Sequence, residues 1–329
     1  MLTDNHGRQI DYLRLSVTDR CNLRCFYCMP QEGLPWLHRD ELMSSAEMLR
    51  ICRLLTGMGI TKIRVTGGEP FVRRDMVSLL GDLAALPNLQ HLSLTTNGVL
   101  TAPLVPALRD LGIRQVNLSL DTLDRQRFLR ITHRDEFDRV MKTFEALLAH
   151  GLEVKINAVV MDGRNTEDIL PLVSLTRELP VSVRFIEEMP FNGQGSHYAD
   201  LPWNYLRILD AIREAHPGLE KIPDGPASTS YNYRVPGHRG TVGVIAAYSR
   251  TFCGTCNRLR LTASGLLKTC LYDEGVLNLR DMLRAGASDE QIRIRLLEAL
   301  RHRARDGWEA QRRRREPGDP HESMAQIGG

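Results

Sequence analysis

Six of the seven cysteines fall into two trios whose spacing suits metal ligation. Cys21, Cys25 and Cys28 stand as C-x3-C-x2-C in TDRCNLRCFYCMP, and Cys253, Cys256 and Cys270 as C-x2-C-x13-C in FCGTCNRLRLTASGLLKTC. Thiolates this close can converge on one metal centre, yet three are one short of the four that saturate a four-iron cluster or a structural zinc. The missing ligand is the informative feature, because an iron without a protein thiolate can take a substrate or cosubstrate. The plainer readings are zinc sites completed from elsewhere, for the second trio by a histidine such as His238. Cys52 occupies an apolar helical position and reads as an inert core residue.

Other residue types gather near these trios. Arg258 and Arg260 lie two apart, so on a strand both project to one side and could grip a polyphosphate; a solvated basic face is the alternative. In TGGEP, Gly67 and Gly68 let the backbone approach a ligand that a Cβ would hold off, ahead of Glu69 and Pro70. Thr95, Thr96 and Asn97 close one strand-like run, and Ser119 and Asp121 another. Lys155 and Asn157 share a strand face, and Met189 follows a further run. Each alone reads as a satisfied polar strand residue, a helix cap or a core methionine. Their common placement near strand ends points to one site.

The first trio, with Tyr27 before its third cysteine and GGEP after the next strand, resembles the signature of radical S-adenosylmethionine enzymes. CGTCNRLRLT with Cys270, and the closing Gly328 and Gly329, are similar to the second-cluster motif and tail of the GTP 3',8-cyclase family within that superfamily. The resemblance runs from Arg14 to the tail, apart from an arginine-rich stretch. It implies two [4Fe-4S] clusters, on Cys21, Cys25 and Cys28 and on Cys253, Cys256 and Cys270. It implies S-adenosylmethionine chelated by the first cluster and touched by Tyr27, Gly68, Ser119 and Met189. GTP would meet Arg14, Arg64, Thr95, Lys155 and the segment Arg258, Leu259, Arg260, with guanine at the second cluster. Gly328 and Gly329 would reach into the active site, where only side-chain-free residues fit a narrow channel. The implied reaction takes the C3' hydrogen of GTP with a 5'-deoxyadenosyl radical and joins C3' to C8, the first step of molybdenum cofactor biosynthesis. Implied partners are a downstream cyclic pyranopterin monophosphate synthase, an electron donor that the chain does not specify, and a second copy in a homodimer. The rival readings are another radical enzyme with an auxiliary cluster, such as a peptide maturase, and a non-catalytic zinc-dependent nucleic-acid-binding protein.

The elements that must position these residues follow from periodicity. Strand-like runs at 13–18, 62–65, 91–96, 115–120, 153–160 and 182–188 alternate with helical stretches near 44–58, 75–86, 101–111, 124–131, 135–149 and 166–178. Such βαβ repetition demands a parallel sheet with right-handed crossovers. Six units are too few to close an eight-stranded barrel, and a doubly wound sheet would give a similar string. With the resemblance, the fold class is α/β: an incomplete (βα)6 partial TIM-type barrel with a smaller α+β C-terminal extension. After Pro190 come a Gly-rich loop (FNGQGSHY), a helix near 203–215 and a turn-rich linker at 216–228. The boundary is set there, giving a partial-barrel domain at 1–225 and a second-cluster and GTP-binding region at 226–329. The latter carries short strands near 229–235, 241–248, 258–262 and 266–270, then helices near 278–285 and 288–305.

Composition sets the outer limits. With 42% hydrophobic and 25% charged residues among 329, the chain reads as globular, with a core that needs no disulfides. Clustered, odd-numbered cysteines argue against a secreted disulfide framework. A net charge of +3 gives no broad surface for a nucleic-acid polymer, and Arg312 to Arg315 read as a solvated helix end. No apolar run of membrane-spanning length occurs, and MLTDNHGRQIDYLRLS lacks the order of a secretory signal, so a cytoplasmic location is expected.

Overall fold

The computed structural model describes residues 2–192, 201–314 and 322–329. A short ribbon of β1 (Leu2–Thr3) and β2 (Gln9–Ile10) opens the chain. The six βα units follow: β3 (Tyr12–Ser16) with α1 (Ser45–Met58), β4 (Lys62–Thr66) with α2 (Met76–Ala84), and β5 (His91–Thr96) with α3 (Val105–Asp110). Next come β6 (Gln115–Ser119) with α4 (Arg125–Thr132) and α5 (Phe137–Ala149), β7 (Glu153–Val160) with α6 (Ile169–Glu178), and β8 (Ser182–Glu187) with α7 (Tyr205–Ala215). The rest of the chain adds β9 (Glu220–Lys221), β10 (Ser230–Arg234), β11 (Thr241–Ile245), β12 (Arg258–Leu261), β13 (Leu266–Lys268) and β14 (Leu277–Asn278). It ends in α8 (Leu279–Arg284), α9 (Asp289–Arg301), α10 (Gly307–Arg312) and α11 (Met324–Ile327).

Twelve strands form one open sheet in the order β14-β13-β12-β3-β4-β5-β6-β7-β8-β11-β10-β9. The six central strands are parallel, as the alternation requires. The segment after 225, read as a smaller α+β extension, adds strands to both edges: β11 pairs in parallel with β8, and β12 in parallel with β3. The chain between β11 and β12 therefore crosses from one edge of the sheet to the other, and it carries Cys253 and Cys256.

Alternation along the strands sorts side chains between two faces. On β7, Val154, Ile156, Ala158 and Val160 are buried in the main hydrophobic core, while Lys155, Asn157 and Val159 face the other side. Register then lines up polar groups across that concave side: Arg260, Arg14, Arg64 and Ser93 form one row, and Ser119, Asn157, Arg184 and Gly243 another. Gly243 is required there, because a Cβ would fall 2.3 Å from Ser230 Oγ and 3.1 Å from Arg184 Cγ. Some helix starts carry side-chain caps, with reciprocal capping boxes at Ser44 with Glu47 and at Ser288 with Gln291. No helix among the described residues is long and apolar enough to cross a membrane.

Candidate active site

Two cavities open at the C-terminal ends of the strands, of about 1030 and 1050 Å³ including their mouths. They share Thr95, Asn157, Ile186, Met189, Met324 and Gly329, so they are two lobes of one chamber. The first trio lines one lobe and the second trio the other. All seven cysteines are free thiols, and Cys52 is fully buried in the core.

In the first lobe the cysteine loop leaves β3 and is fixed to the end of α4, with the Arg24 and Phe26 amides donating to the Thr132 and Ile131 carbonyls (2.9 and 3.2 Å). Gly67 and Gly68 serve this loop directly. The Gly68 amide donates to the Thr18 carbonyl (2.9 Å), and a Cβ on Gly68 would lie 2.3 Å from the Arg20 carbonyl oxygen. Its own carbonyl is left as the group that could meet an ammonium. Glu69 is wholly buried and accepts from the Asn97 amide (2.7 Å), Thr96 Oγ1 (2.9 Å) and the Phe71 amide (3.2 Å); burial pushes its carboxyl up to about 7. Asn97 in turn donates to Cys21 Sγ at 3.6 Å. Tyr27 donates to Asp121 (2.8 Å), whose other oxygen accepts from the Val159 amide, so the Tyr27 hydroxyl is committed within the protein.

Burial pushes the Cys21 thiol up to about 11 and Cys25 and Cys28 further, since each thiolate would also be repelled by its neighbours. Three half-buried thiols that resist ionisation become thiolates readily only around a cation, which is how an iron centre would fit them. Cys270 behaves alike, pushed up to about 12 by burial and by Asp273. Cys256 differs: burial would raise it, but Arg258, Arg303 and Arg8 more than offset that and bring it below the ordinary thiol range.

The second lobe is strongly cationic. Arg14, Arg64, Arg184, Arg250, Arg258 and Arg260 all line it. Burial lowers Arg260 to about 9 and Arg184 to about 10, helped by the neighbouring guanidinium groups. The Nε of Arg14 and of Arg184, and Nε and Nη1 of Arg250, are buried without a hydrogen-bond partner among the described residues. Such a set of crowded, partly unpaired donors suits a polyanion. Arg258 donates toward Cys256 Sγ (3.8 Å) and to the Ala227 carbonyl (2.5 Å), and Arg260 donates to the Gly328 carbonyl (2.7 Å).

The last residues enter between the lobes. Lys268, fully buried, grips both oxygens of Glu322 (2.7 and 2.8 Å); Ser323 Oγ donates to the Cys28 carbonyl (2.5 Å), and the Met324 amide to the Phe191 carbonyl (2.9 Å). Gly328 has φ +81°, and a Cβ there would lie 2.6 Å from Thr66 Oγ1. Gly329 lines both lobes, and its nearest neighbour for a Cβ is Met324 Cε at 3.7 Å. The narrow-channel expectation therefore fits Gly328 by sterics and not Gly329.

Of the sequence-predicted residues, Cys21, Cys25, Cys28, Tyr27, Gly68, Ser119 and Met189 come together around the first lobe, and Cys253, Cys256, Cys270, Arg14, Arg64, Thr95, Arg258 and Arg260 around the second. Alternation on β12 turns the Leu259 side chain into the hydrophobic core, so this residue could meet a ligand only through its backbone. Lys155 sits beside the lobe, its ammonium held by Glu153 at 2.8 Å. His238 bonds Thr176 (2.8 Å) and packs on His216 just before β11, at the end of the strand opposite the second trio, so His238 is not placed to complete a zinc site there. The solvated reading of the arginine block also needs correction at Arg314, which is largely buried and donates to Glu322 (3.2 Å) and the Tyr272 carbonyl (3.3 Å). Arg315 and most of FNGQGSHY lie outside the described residues.

Sequence reasoning missed Arg184 and Arg250. The first had a usable signal, its in-facing parity with Asn157 across β7 and β8. Arg250 had none: it takes φ +55°, lies between the rings of Tyr272 (3.4 Å) and Trp308 (3.8 Å), and needs Gly307, where a Cβ would lie 2.8 Å from Arg250 Cδ.

Residues 15–176 match the Radical SAM superfamily, and 181–308 match Molybdenum Cofactor Synthesis C. The chain is 41% identical to "GTP 3',8-cyclase" of Moorella thermoacetica over the full length of both, and 42% identical to "GTP 3',8-cyclase, mitochondrial" of Arabidopsis thaliana, covering 89% of this chain and 75% of that one. It is 46% identical to "Molybdenum cofactor biosynthesis protein 1" of Mus musculus over 88% of this chain and 46% of that one; this chain spans about half the length of such relatives. Streptococcus suis SuiB, solved with S-adenosylmethionine, shares the fold at a TM-score of 0.61 and 17% identity, covering 88% of this chain and 68% of that one.

Proposed function

This chain belongs to the GTP 3',8-cyclase family of the radical S-adenosylmethionine superfamily, and from that premise we propose that it converts GTP to 3',8-cyclo-7,8-dihydro-GTP, opening molybdenum cofactor biosynthesis. One observation carries the reading: two three-cysteine centres face each other across a single chamber whose far lobe is lined with arginines. Superfamily membership brings S-adenosylmethionine and one four-iron cluster; the second cluster is part of the proposal. When bound, these cofactors supply a 5'-deoxyadenosyl radical that takes the C3' hydrogen of GTP so that C3' can join C8.

The chain's own residues bind, orient and shield. Cys21, Cys25 and Cys28 would hold the first cluster, with Glu69 fixing Asn97 against Cys21. The Gly68 carbonyl, Ser119, the Tyr27 ring and Met189 would receive S-adenosylmethionine, with Tyr27 locked in place by Asp121. Arg14, Arg64, Arg184, Arg258 and Arg260, with Thr95 and Lys155 beside them, would hold the triphosphate, because each new charge-assisted pair relieves the repulsion among them. Cys253, Cys256 and Cys270 would hold the second cluster at the guanine end. Gly328 and Gly329 would sit where the lobes meet, leaving the passage to GTP unobstructed by side chains while the tail as a whole helps exclude water from the radical.

The reduced thiols suit a reducing compartment, which we take to be the cytoplasm. A cyclic pyranopterin monophosphate synthase would consume the product, an external donor would supply electrons, and the working form would be a homodimer. The test is anaerobic reconstitution followed by GTP and S-adenosylmethionine with a chemical reductant. The expected result is 5'-deoxyadenosine with the cyclised nucleotide, and loss of GTP affinity in the Arg258→Ala, Arg260→Ala double variant. Unchanged affinity in that variant rejects the arginine assignment, and 5'-deoxyadenosine formed without any cyclised nucleotide rejects the reaction.

A further inference from the structure

No motif marks Arg303, yet its guanidinium joins every stretch around the second trio. Nη2 donates to Cys256 Sγ (3.2 Å) and to the Arg258 carbonyl (3.0 Å); Nη1 donates to the Cys256 carbonyl (3.0 Å) and to Asp4 (3.1 Å). Nε donates to the carbonyl of Thr269, the residue before Cys270 (3.0 Å). All five of its N–H groups are thus engaged, and the residue is 2% exposed. Asp4 also binds Arg8 (2.6 Å), and Arg8 donates to the Cys253 carbonyl (2.9 Å). Asp4, Arg8 and Arg303 therefore reach the Cys253 loop, the Cys256 sulfur and carbonyl, and the strand end that presents Cys270. Arg303 falls within the Molybdenum Cofactor Synthesis C match, whereas Asp4 and Arg8 precede both family matches.

A cationic donor on a cysteine sulfur has a definite consequence for an iron-sulfur centre. Reduction adds negative charge to the centre, and hydrogen bonds to its sulfurs stabilise that charge, so the reduction potential rises. Burial strengthens the effect, since little water screens the guanidinium. Arg258 lies farther from the same sulfur, at 3.8 Å, and is also expected to face substrate. Arg303 has no such second duty, because its remaining donors are taken up by backbone and Asp4.

We propose that Arg303, braced by Asp4 and Arg8, is the positioning residue of the second iron-sulfur centre, fixing its three thiolates and raising its reduction potential through the Cys256 sulfur. This rests on the reading that Cys253, Cys256 and Cys270 hold a four-iron cluster. A full-length chain with Cys21, Cys25 and Cys28 replaced by alanine isolates that centre. Its iron and sulfide are measured after anaerobic reconstitution, and its midpoint is followed by electron paramagnetic resonance during redox titration.

Adding Arg303→Gln is expected to weaken electron uptake about tenfold or more, a shift of 59 mV to more negative potential for each factor of ten in a one-electron couple. Arg303→Lys, which keeps the charge but cannot reach the sulfur and three carbonyls together, should fall between. A fully loaded Arg303→Gln protein that titrates at the parent potential overturns the proposal. Should that variant fail to load, Arg303→Lys decides, and equality with the parent overturns it there. A parent without iron and sulfide would remove the two-cluster reading itself, an outcome distinct from a loaded parent indifferent to Arg303.

Discussion

Gly328→Ala is expected to expel the last turn of the chain from the chamber, while Gly329→Ala leaves it seated. Gly328 holds φ +81° and ψ 97°, a conformation that costs an L-residue about 1–3 kcal/mol. A Cβ there would also meet Thr66 Oγ1 at 2.6 Å and Ser16 Cβ at 3.0 Å, and both residues are buried on paired strands that have no room to retreat. Overpacking of that kind adds about 1–3 kcal/mol. Together the two effects weaken docking by a factor from about thirty to about 10⁴. The bonds that seat the tail, Arg260 to the Gly328 carbonyl and the Met324 amide to the Phe191 carbonyl among them, contribute about 1 kcal/mol each, so such a loss offsets two or more of them. Hydrogen exchange of the peptide spanning 322–329 reads the outcome directly. It should be protected in the parent and in Gly329→Ala and unprotected in Gly328→Ala, with product formation falling in parallel in the latter. Equal protection in all three proteins would refute the steric reasoning.

Iron analysis of anaerobically reconstituted protein should give about eight irons with matching sulfide per chain, halved when either trio is replaced; zinc without sulfide would refute both centres. Inorganic triphosphate at 100 times its dissociation constant should stabilise the protein by about 2.7 kcal/mol, an effect that calorimetry should find abolished in the Arg258→Ala, Arg260→Ala variant. Tyr12 supplies a pH test: burial would raise its phenol, but Arg64, Arg14, Lys62 and Arg258 bring it down to about 8. A depressed folded value means the tyrosinate adds stability that is fully present above the ordinary value of about 10 and lost as pH falls through 8. The melting temperature of the parent relative to Tyr12→Phe should climb across that window, and a flat difference would contradict it. Gly307→Ala should lower the urea midpoint, since its Cβ would press to 2.8 Å from Arg250 Cδ and 3.0 Å from Tyr272 Cδ2, costing about 1–3 kcal/mol.

Much of this architecture was legible in the residues because it rests on short-range periodicity. The six central strands appear within a residue or two of their expected bounds, since parallel strands covered by helices must alternate apolar runs with amphipathic ones. The cysteine trios were legible for a different reason: their short spacings are of the kind that metal ligation favours. What escaped depends on contacts distant in sequence. The Leu2–Ile10 ribbon carries too few apolar residues to register as strand, yet Asp4 finds Arg303, and Arg8 the Ala304 carbonyl, nearly 300 positions away. Leu259 was drawn into the site with its arginine neighbours, and period-two alternation, already used for Arg258 and Arg260, would have excluded its side chain. Arg314 read as solvated because its partner Glu322 lies across a stretch without recognisable pattern.

The passage of the chain from β11 to β12 has a consequence for how this molecule came to be organised. Because the second half supplies the neighbours of both β8 and β3, cutting the chain at 225 would uncover two long parallel strand edges at once, each a template for aggregation. The (βα)6 half is therefore poorly suited to life alone, and a lineage that lost the second cysteine trio would still need residues 241–245 and 258–261 to keep its first half soluble. The half that carries the second cysteine trio doubles as edge protection, which ties the keeping of that trio's strands to the solubility of the first half.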